Sequence, residues 1–301
     1  MNLDKKIWQW VMLIILAFIW GSSFILMKKG LQSFSNYQVA AFRIFISFVV
    51  VIPFIIRGIK KITKKNVFIL IIIGLIGNLI PAFFFTTAQT EINSTLAGML
   101  NSLTPLFTIV IGVLLFKTKI RFSNIVGLII GLIGAIGLTI KDFSTFFDGN
   151  NWFGLFAIAA TICYGFNVNL VKEKLKELNA IEITSLAFFF AGPVAGVYLL
   201  FSDFSTVTST ENYITNFIYI CILALFSSVI AVFLINKLLK HTTALFASTV
   251  TYIIPIFAII WGLIDGEVFL HIDALWIIIT LIGVYLINKK PNSCLHKNYK
   301  F

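Results

Sequence analysis

The residues of this sequence best suited to binding chemistry are amide, hydroxyl and aromatic side chains that interrupt long apolar runs. In one run Asn101, Thr104 and Thr108 follow each other at helical spacing and share one face of a helix. Because such groups are poorly placed against lipid, we expect this face to turn inward. Some of them would form interhelical hydrogen bonds, and the others would line a pocket for a small solute with polar and apolar parts. The candidate pocket residues are Trp20, Ser23, Asn78, Phe85, Gln89, Asn101, Thr104, Tyr164, Asn167, Ser227, Ser228, Thr251 and Tyr252.

Arg43 is the only basic residue well inside an apolar run. An arginine at the centre of a bilayer costs about 2.5–3.5 kcal/mol, so its side chain must have partners or reach outward. Two roles remain open. Arg43 is either a scaffold residue that binds backbone carbonyls or a contact for an anionic group of the solute.

The acidic residues all lie in loops, tails or helix ends, so the sequence predicts no buried carboxylate relay. Glu91 and His241 follow two of the apolar runs and occupy tight turns. They are repeat partners, one expected to face out and the other in, and are either ordinary solvated turn residues or candidates for proton coupling, because histidine titrates near physiological pH.

Pro105 and Pro255 lie inside apolar runs, where a proline removes one backbone hydrogen bond and frees a carbonyl. One interpretation is a kink that lets tapered helices pack. The other is a hinge beside a central cavity.

The elements that position these residues follow from composition. The chain has 301 residues, of which 59% are hydrophobic and 12% charged, a balance that excludes two soluble domains. At about 20 residues per crossing, the apolar windows predict an all-α membrane protein with ten transmembrane helices. The predicted crossings are 8–27, 37–56, 66–88, 93–116, 121–140, 151–171, 182–201, 213–236, 244–264 and 273–288.

Basic residues predict the orientation. They gather in the two ends and in alternate loops, whereas the opposite loops have only Lys28, Lys29 and Lys141. This asymmetry places both termini in the cytoplasm of a multi-pass protein of the plasma (inner) membrane. The net charge of +11 is divided into short groups between apolar runs, which argues against nucleic-acid binding.

The two halves of the chain resemble each other. The segment Pro105-Leu106-Phe107 aligns with Pro255-Ile256-Phe257 at an offset of 150, and Trp20-Gly21 aligns with Tyr164-Gly165 at an offset of 144. Five crossings in each half force the second copy to enter the membrane from the opposite face. In agreement, Lys117 on the basic face aligns with Glu267 on the other.

The sequence therefore predicts two five-helix inverted repeats, at 8–140 and 151–288, followed by a cytoplasmic tail at 289–301. The sequence resembles the EamA-type family of the drug/metabolite transporter superfamily. The resemblance depends on Trp20-Gly21-Ser22-Ser23-Phe24, Arg43, the Pro105 and Pro255 helices, and Asp265-Gly266-Glu267. It departs at Lys117-Thr118, where the family has a glycine-glutamate pair.

The repeat and the polar stripes together predict a secondary transporter of a small organic metabolite that works by alternating access. The family resemblance implies an amino-acid-like solute. A passive channel or facilitator is the alternative, although no charged ring or carbonyl filter is recognisable. We expect a monomer or weak dimer with a small-molecule substrate and membrane lipid as partners, and protons as a hypothetical coupling ion.

The sequence gives no indication of an enzyme. No metal-ligand cluster, cofactor motif or nucleophile-base set is present, so we expect no catalytic residue, no metal and no cofactor. Cys163 and Cys221 lie in apolar runs and Cys294 lies in the tail, an arrangement that predicts no disulfide framework.

Overall fold

The computed structural model describes residues 2–92, 94–137, 151–205, 207, 210–264 and 271–288. Within these residues the regular structure is entirely helical. The first half contains α1 (Lys6–Gly30), α2 (Asn36–Gly58), α3 (Val67–Gly74), α4 (Ile80–Ala88), α5 (Ser94–Asn101), α6 (Thr104–Phe116) and α7 (Phe122–Gly137). The second contains α8 (Gly154–Lys174), α9 (Ala180–Leu200), α10 (Tyr213–Ile222), α11 (Ala231–His241), α12 (Ala244–Ser248), α13 (Val250–Ile264) and α14 (His271–Asn288).

The helices agree with the predicted all-helical membrane protein. Among the described residues, seven helical stretches are long and apolar enough to cross a membrane, and Thr104–Phe116, Phe122–Gly134 and Ala274–Ile287 are shorter apolar helices. Each predicted crossing coincides with one helix or with consecutive helical pieces. The number of crossings stays a prediction. The end of the predicted crossing at 138–140, Lys141, the segment Asp265-Gly266-Glu267 and the predicted tail lie outside the described residues.

Two predicted crossings are continuous but contain π-helical turns. Leu75–Leu79 joins α3 to α4, and Leu223–Ile230 joins α10 to α11. These turns fall on matched positions of the two halves, because Leu75–Leu79 shifted by 150 residues lies within Leu223–Ile230. A π turn displaces the regular hydrogen-bond ladder and is frequent at functional sites.

Side chains satisfy carbonyls in and beside these π turns. Asn78 donates from Nδ2 to the Ile73 carbonyl at 2.9 Å. From the other half of the chain, Ser47 donates to the Ala224 carbonyl at 3.1 Å and Trp20 donates from Nε1 to the Ser227 carbonyl at 3.0 Å. Part of the polar content of the apolar runs therefore stabilises irregular helix, as the hydrogen-bonding interpretation predicts.

The two proline crossings are broken helices. The first breaks at Ser102 and Leu103, so Pro105 lies in the first turn of α6, where the missing N–H disrupts no helical bond. Thr104 Oγ1 donates to the Asn101 carbonyl at 2.7 Å. Pro105 therefore removes no hydrogen bond of α6, because the chain breaks before the proline and not at it.

Pro255 lies inside α13, after a break at Thr249. The proline frees the Thr251 carbonyl, which accepts a hydrogen bond from Ser102 Oγ at 3.0 Å. A hydroxyl from the first half thus satisfies the carbonyl that a proline of the second half leaves without its helical donor.

The second helix of each half begins with a capping box. Ser35 Oγ accepts from the Gln38 N–H, while the Gln38 side chain accepts from the Ser35 N–H. Asn179 and Glu182 make the same reciprocal pair at the start of α9. These positions differ by 144 residues, the offset that relates the early parts of the two halves. The pattern of a capping residue followed three positions later by Gln or Glu could have identified both starts.

The two halves pack against each other through helices at matched positions. A methyl group at Gly21 of α1 would lie 2.6 Å from Cβ of Phe257 on α13. At Gly165 of α8 it would lie 2.9 Å from the carbonyl carbon of Phe107 on α6. Both contacts join the same pair of repeat-matched positions, so each half packs its first helix against the fourth crossing of the other half.

Candidate functional site

A cavity of about 100 Å³ lies where the two halves meet. Helices of both halves and both π segments contribute to its wall. We call it the central cavity. The predicted pocket residues around it are Trp20, Ser23, Asn78, Phe85, Asn101, Thr104, Tyr164, Asn167, Ser227, Ser228 and Thr251. Their contact with a solute stays a prediction.

Two predicted pocket residues lie elsewhere. Tyr252 is fully buried against Gly131 of α7, and its hydroxyl donates to the Leu128 carbonyl at 3.2 Å. Gln89 does not line the central cavity and donates from Nε2 to the Phe24 carbonyl at 3.3 Å. Helical spacing places both on the side of the polar stripes, but it does not determine how far each long side chain reaches along its neighbours.

Several hydroxyls of the central cavity are already satisfied by their own helices. Thr104 bonds the Asn101 carbonyl at 2.7 Å, Thr251 bonds the Ser248 carbonyl at 2.9 Å, and Ser23 bonds the Trp20 carbonyl at 2.5 Å. Such back-bonding leaves the oxygen as an acceptor for a solute but uses its proton. These residues therefore shape the cavity more than they donate into it.

Aromatic rings form one wall of the central cavity. Tyr164 of α8 stacks on Phe85 of α4, with ring centroids 6.0 Å apart and an interplanar angle of 19°. Phe24 of α1 meets Phe85 edge to face at 6.0 Å. Since three helices contribute to this stack, the Tyr164 ring is held in a fixed orientation beside the polar groups.

Arg43 reaches the central cavity from α2. Its side chain is 8% exposed, and Nε donates to Ser228 Oγ in the π segment of the other half at 2.7 Å. No aspartate or glutamate lines the central cavity within the described residues. The hydrogen bond to the Ser228 hydroxyl is the only contact that fits the scaffold hypothesis for Arg43 among the described residues. The Arg43 side chain donates to no backbone carbonyl of a described residue.

Asn167 carries a buried polar atom without a partner. Its Oδ1 makes no hydrogen bond to any described residue. A methyl group at Gly77 would collide with this amide, so glycine is what lets Asn167 pack against the π segment. A buried unpaired amide oxygen is costly and is often found where a ligand or water binds.

A second cavity, of about 330 Å³, lies at the predicted cytoplasmic end. We call it the basic cavity. Its charged lining residues are Lys6, Lys119, Arg121, Lys172, Glu173 and His241. The spacing of these lysines along the sequence does not show that the folded chain brings them together, so they appear there only as loop charges.

The two cavities are adjacent. In α8, Val168 lines the central cavity and the next residue, Asn169, lines the basic cavity. In α12, Ala247 lines the central cavity and the preceding residue, Phe246, lines the basic cavity. Asn169 strengthens this partition by donating from Nδ2 to the Thr108 carbonyl on α6 at 2.9 Å. A thin layer of helix therefore separates a central compartment from one at the end of the molecule.

The two proton-coupling candidates occupy different places. His241 lines the basic cavity, and its Nδ1 lies 3.2 Å from Asp4 Oδ1, with both side chains accessible to solvent. Glu91 is exposed in the turn after α4 and lines neither cavity. The structure does not bring them together.

Among the described residues, no cluster of histidine, cysteine, aspartate and glutamate is arranged to hold a metal ion. Cys163 and Cys221 are free thiols.

Comparison with known proteins gives the family. A model of the EamA-like transporter family matches residues 7–140 and again residues 151–289. The uncharacterized inner membrane transporter YedA of Escherichia coli K12 is 25% identical over 296 residues, covering 93% of this chain and 92% of that protein. The uncharacterized transporter YetK of Bacillus subtilis is 23% identical over 299 residues, covering 96% and 90%.

A shorter match links an uncharacterized transporter of Archaeoglobus fulgidus, 24% identical over 180 residues, which span 60% of this chain and 63% of that protein. A solved crystal structure has the same fold, with a TM-score of 0.70 at 15% identity over 92% of this chain and 94% of that chain. The family match covers both halves and agrees with the apolar helices, so this multi-pass membrane protein belongs to the EamA-like transporter family.

Proposed function

We propose that this protein is a secondary transporter that carries a small organic, amino-acid-like solute across the plasma (inner) membrane by alternating access. The observation that carries the proposal is the central cavity, which combines amide, hydroxyl and aromatic groups from both halves. A cavity between two packed units is suited to exposure on alternate sides as the units move. The partition from the basic cavity is where such movement would open a path.

An inverted relation between the halves, with boundaries at 8–140 and 151–288, is part of the proposal. It is supported by the crossed contacts of Gly21 with Phe257 and of Gly165 with Phe107. The matched π segments and capping boxes support the duplication itself. Ten crossings in this arrangement place both termini and the tail at 289–301 in the cytoplasm. Impermeant tagging of each terminus in intact cells tests this, and labelling of either end from outside would contradict it.

Transport itself is tested with the purified full chain in liposomes. A panel of labelled amino acids and small carboxylic acids is offered with and without unlabelled solute inside. We expect saturable uptake that internal solute accelerates, because a carrier returns faster when loaded. Uptake that is linear in concentration and indifferent to internal solute would instead indicate the channel alternative.

Proton coupling through Glu91 and His241 is a separate proposal. It is supported by the position of His241 in the basic cavity, beside Asp4. We expect an imposed pH gradient to accelerate uptake in wild-type liposomes, and His241→Gln to abolish the acceleration without lowering gradient-free exchange. Equal acceleration in wild type and His241→Gln would contradict the role of His241.

A further inference from the structure

The central cavity contains one cation and, among its described lining residues, no acid to balance it. Arg43 uses only Nε in a hydrogen bond, to Ser228 Oγ. Its other guanidinium N–H groups donate to no described residue. These terminal nitrogens are also absent from the fully enclosed unpaired atoms, which are Gln89 Oε1 and Asn167 Oδ1. They therefore keep some accessible surface, and Arg43 lines the central cavity.

Two further polar groups beside Arg43 are unused. Tyr164 lies close enough to Arg43 for electrostatic interaction, and its hydroxyl forms no hydrogen bond with a described residue. Asn167 follows Tyr164 by three positions on the same face of α8, and its enclosed Oδ1 accepts no hydrogen bond from a described residue. A guanidinium and a phenol thus have unused hydrogen-bonding groups beside one space, and the enclosed amide oxygen of Asn167 lies in its wall.

An unpaired guanidinium in a low-dielectric environment is stabilised most by an oxyanion. A carboxylate accepts two parallel N–H···O bonds from the planar guanidinium, and these charge-assisted bonds are stronger than neutral ones. A buried charge without an opposite charge is unfavourable, so the cavity favours a solute that brings its own negative charge.

The aromatic wall of the central cavity favours an apolar group on the solute that carries the oxyanion. The stacked rings of Tyr164 and Phe85, the edge of Phe24 and the ring of Trp20 give an apolar surface next to the polar groups. We propose that the central cavity recognises an amphipathic carboxylate, with Arg43 binding the carboxylate, the Tyr164 hydroxyl as a second donor and the aromatic wall holding the apolar part. The inference rests on the proposed transport function and specifies its substrate class.

A purely structural Arg43 would behave differently. Linking α2 to the π segment requires only Nε and Ser228 Oγ. That role would not orient the remaining N–H groups toward open space, nor would it discriminate between solutes. The two roles therefore separate in ligand selectivity even if both contribute to stability.

The decisive measurement is equilibrium dialysis of the purified wild-type chain, near neutral pH, with four labelled probes that share a phenyl ring. They are 3-phenylpropionate, phenylalanine, 3-phenylpropionamide and phenethylamine. We expect both carboxylates to bind at least about tenfold more tightly than the amide and the amine, since losing a charge-assisted pair costs about 1.5–3 kcal/mol. This comparison needs no variant, so misfolding does not affect it.

Variants locate the selectivity. Arg43→Gln should remove the preference for 3-phenylpropionate over its amide, and Tyr164→Phe should reduce it. The matched control is Arg57→Gln, which deletes the same charge from an exposed position at the end of α2. We expect it to leave the preference unchanged.

Equal binding of acid and amide by the wild type, or tighter binding of phenethylamine, would overturn the inference. So would Arg43→Gln protein that is folded and still prefers the acid. Saturable exchange of 3-phenylpropionamide in the liposome assay would still support transport. The proposed transport function and the proposed preference for carboxylates can therefore fail separately.

Discussion

Lys172 and Leu239 are joined across the partition between the two cavities. Lys172 lines the basic cavity and donates from Nζ to the carbonyl of Leu239, which lines the central cavity, at 2.7 Å. A second bond runs the opposite way, from Lys240 Nζ to the Leu175 carbonyl at 2.6 Å. Each lysine thus caps carbonyls at the carboxyl end of the other's helix, where a positive charge is also favoured by the helix dipole.

These reciprocal bonds hold α8 and α11 together at the inner end of the central cavity. We predict that Lys172→Met weakens this closure and opens the central cavity toward the basic cavity. The reporter is Ser248→Cys in a chain without Cys163, Cys221 and Cys294, because Ser248 lines the central cavity and is 2% exposed. A hydrogen bond from a charged group contributes about 1.5–3 kcal/mol, so labelling by an impermeant thiol reagent should accelerate about tenfold.

Lys174→Met is the control, because Lys174 is exposed two residues away in the same helix end. It removes the same charge from the basic face but touches neither cavity. Equal labelling rates in Lys172→Met and the parent would show that the lysine bonds do not close the partition.

The bond from Ser102 Oγ to the Thr251 carbonyl predicts an energetic coupling with Pro255. Ser102→Ala should destabilise the protein by about 1 kcal/mol, because the freed carbonyl is then buried without a donor. In a Pro255→Ala background the restored N–H of residue 255 donates to Thr251, so the same substitution should cost much less. The four variants form a double-mutant cycle measured by reversible denaturation in detergent micelles.

Ser202→Ala is the control for loss of a hydroxyl. Ser202 bonds the Tyr198 carbonyl at 2.9 Å at a helix end, but lies outside the broken crossings. An equal cost of Ser102→Ala with and without Pro255 would mean that the proline does not create the demand for that hydroxyl.

Much of this fold could be predicted because a helix that crosses a bilayer appears in the sequence as a long apolar run. The long apolar windows agree with the described helices to within a few residues, and the repeated proline motif indicated the duplication that the two family matches show. The inward-facing polar residues included Tyr164 and Asn167, and Arg43 was the only basic residue well inside an apolar run; the structure places all three around one cavity. Inward orientation of polar groups is a general requirement in lipid and depends little on the details of packing.

The remainder depended on contacts between distant segments. The helix breaks at Ser102 and Thr249 and the π turns are stabilised by side chains from other helices, which no local pattern reports. The stripe pattern predicts that Tyr252 lines the pocket, yet its ring packs against Gly131 of α7. The basic cavity assembles residues from both ends of the sequence, so spacing along the chain did not predict it.

The repeat-matched capping boxes predict equal effects in the two halves. Ser35→Ala and Asn179→Ala should each destabilise the protein by about 1 kcal/mol, because each removes the acceptor for an N–H at the start of a helix. Replacement by Asp should retain most of the stability, since aspartate accepts the same bond. Unchanged stability in both alanine variants would contradict a capping role, and denaturation midpoints in one detergent give the comparison.

The crossed glycine contacts predict that the two halves depend on close helix approach at matched points. Gly21→Ala and Gly165→Ala should each destabilise the protein by about 1–3 kcal/mol, because the new methyl groups would lie 2.6 Å and 2.9 Å from atoms of the facing helix. Gly98→Ala is the control, since its methyl group would meet its nearest neighbour at 3.6 Å. There the higher helix propensity of alanine should stabilise α5 by up to about 1 kcal/mol.

The opposite signs of the expected stability changes distinguish close helix packing from helix propensity in one experiment. All three glycines are helical, so alanine improves the local helix in each case and only the facing surface differs. Stabilisation by Gly21→Ala or Gly165→Ala would show that α1 and α8 do not approach the proline crossings closely. The crossed arrangement of the two halves would then lose its main support.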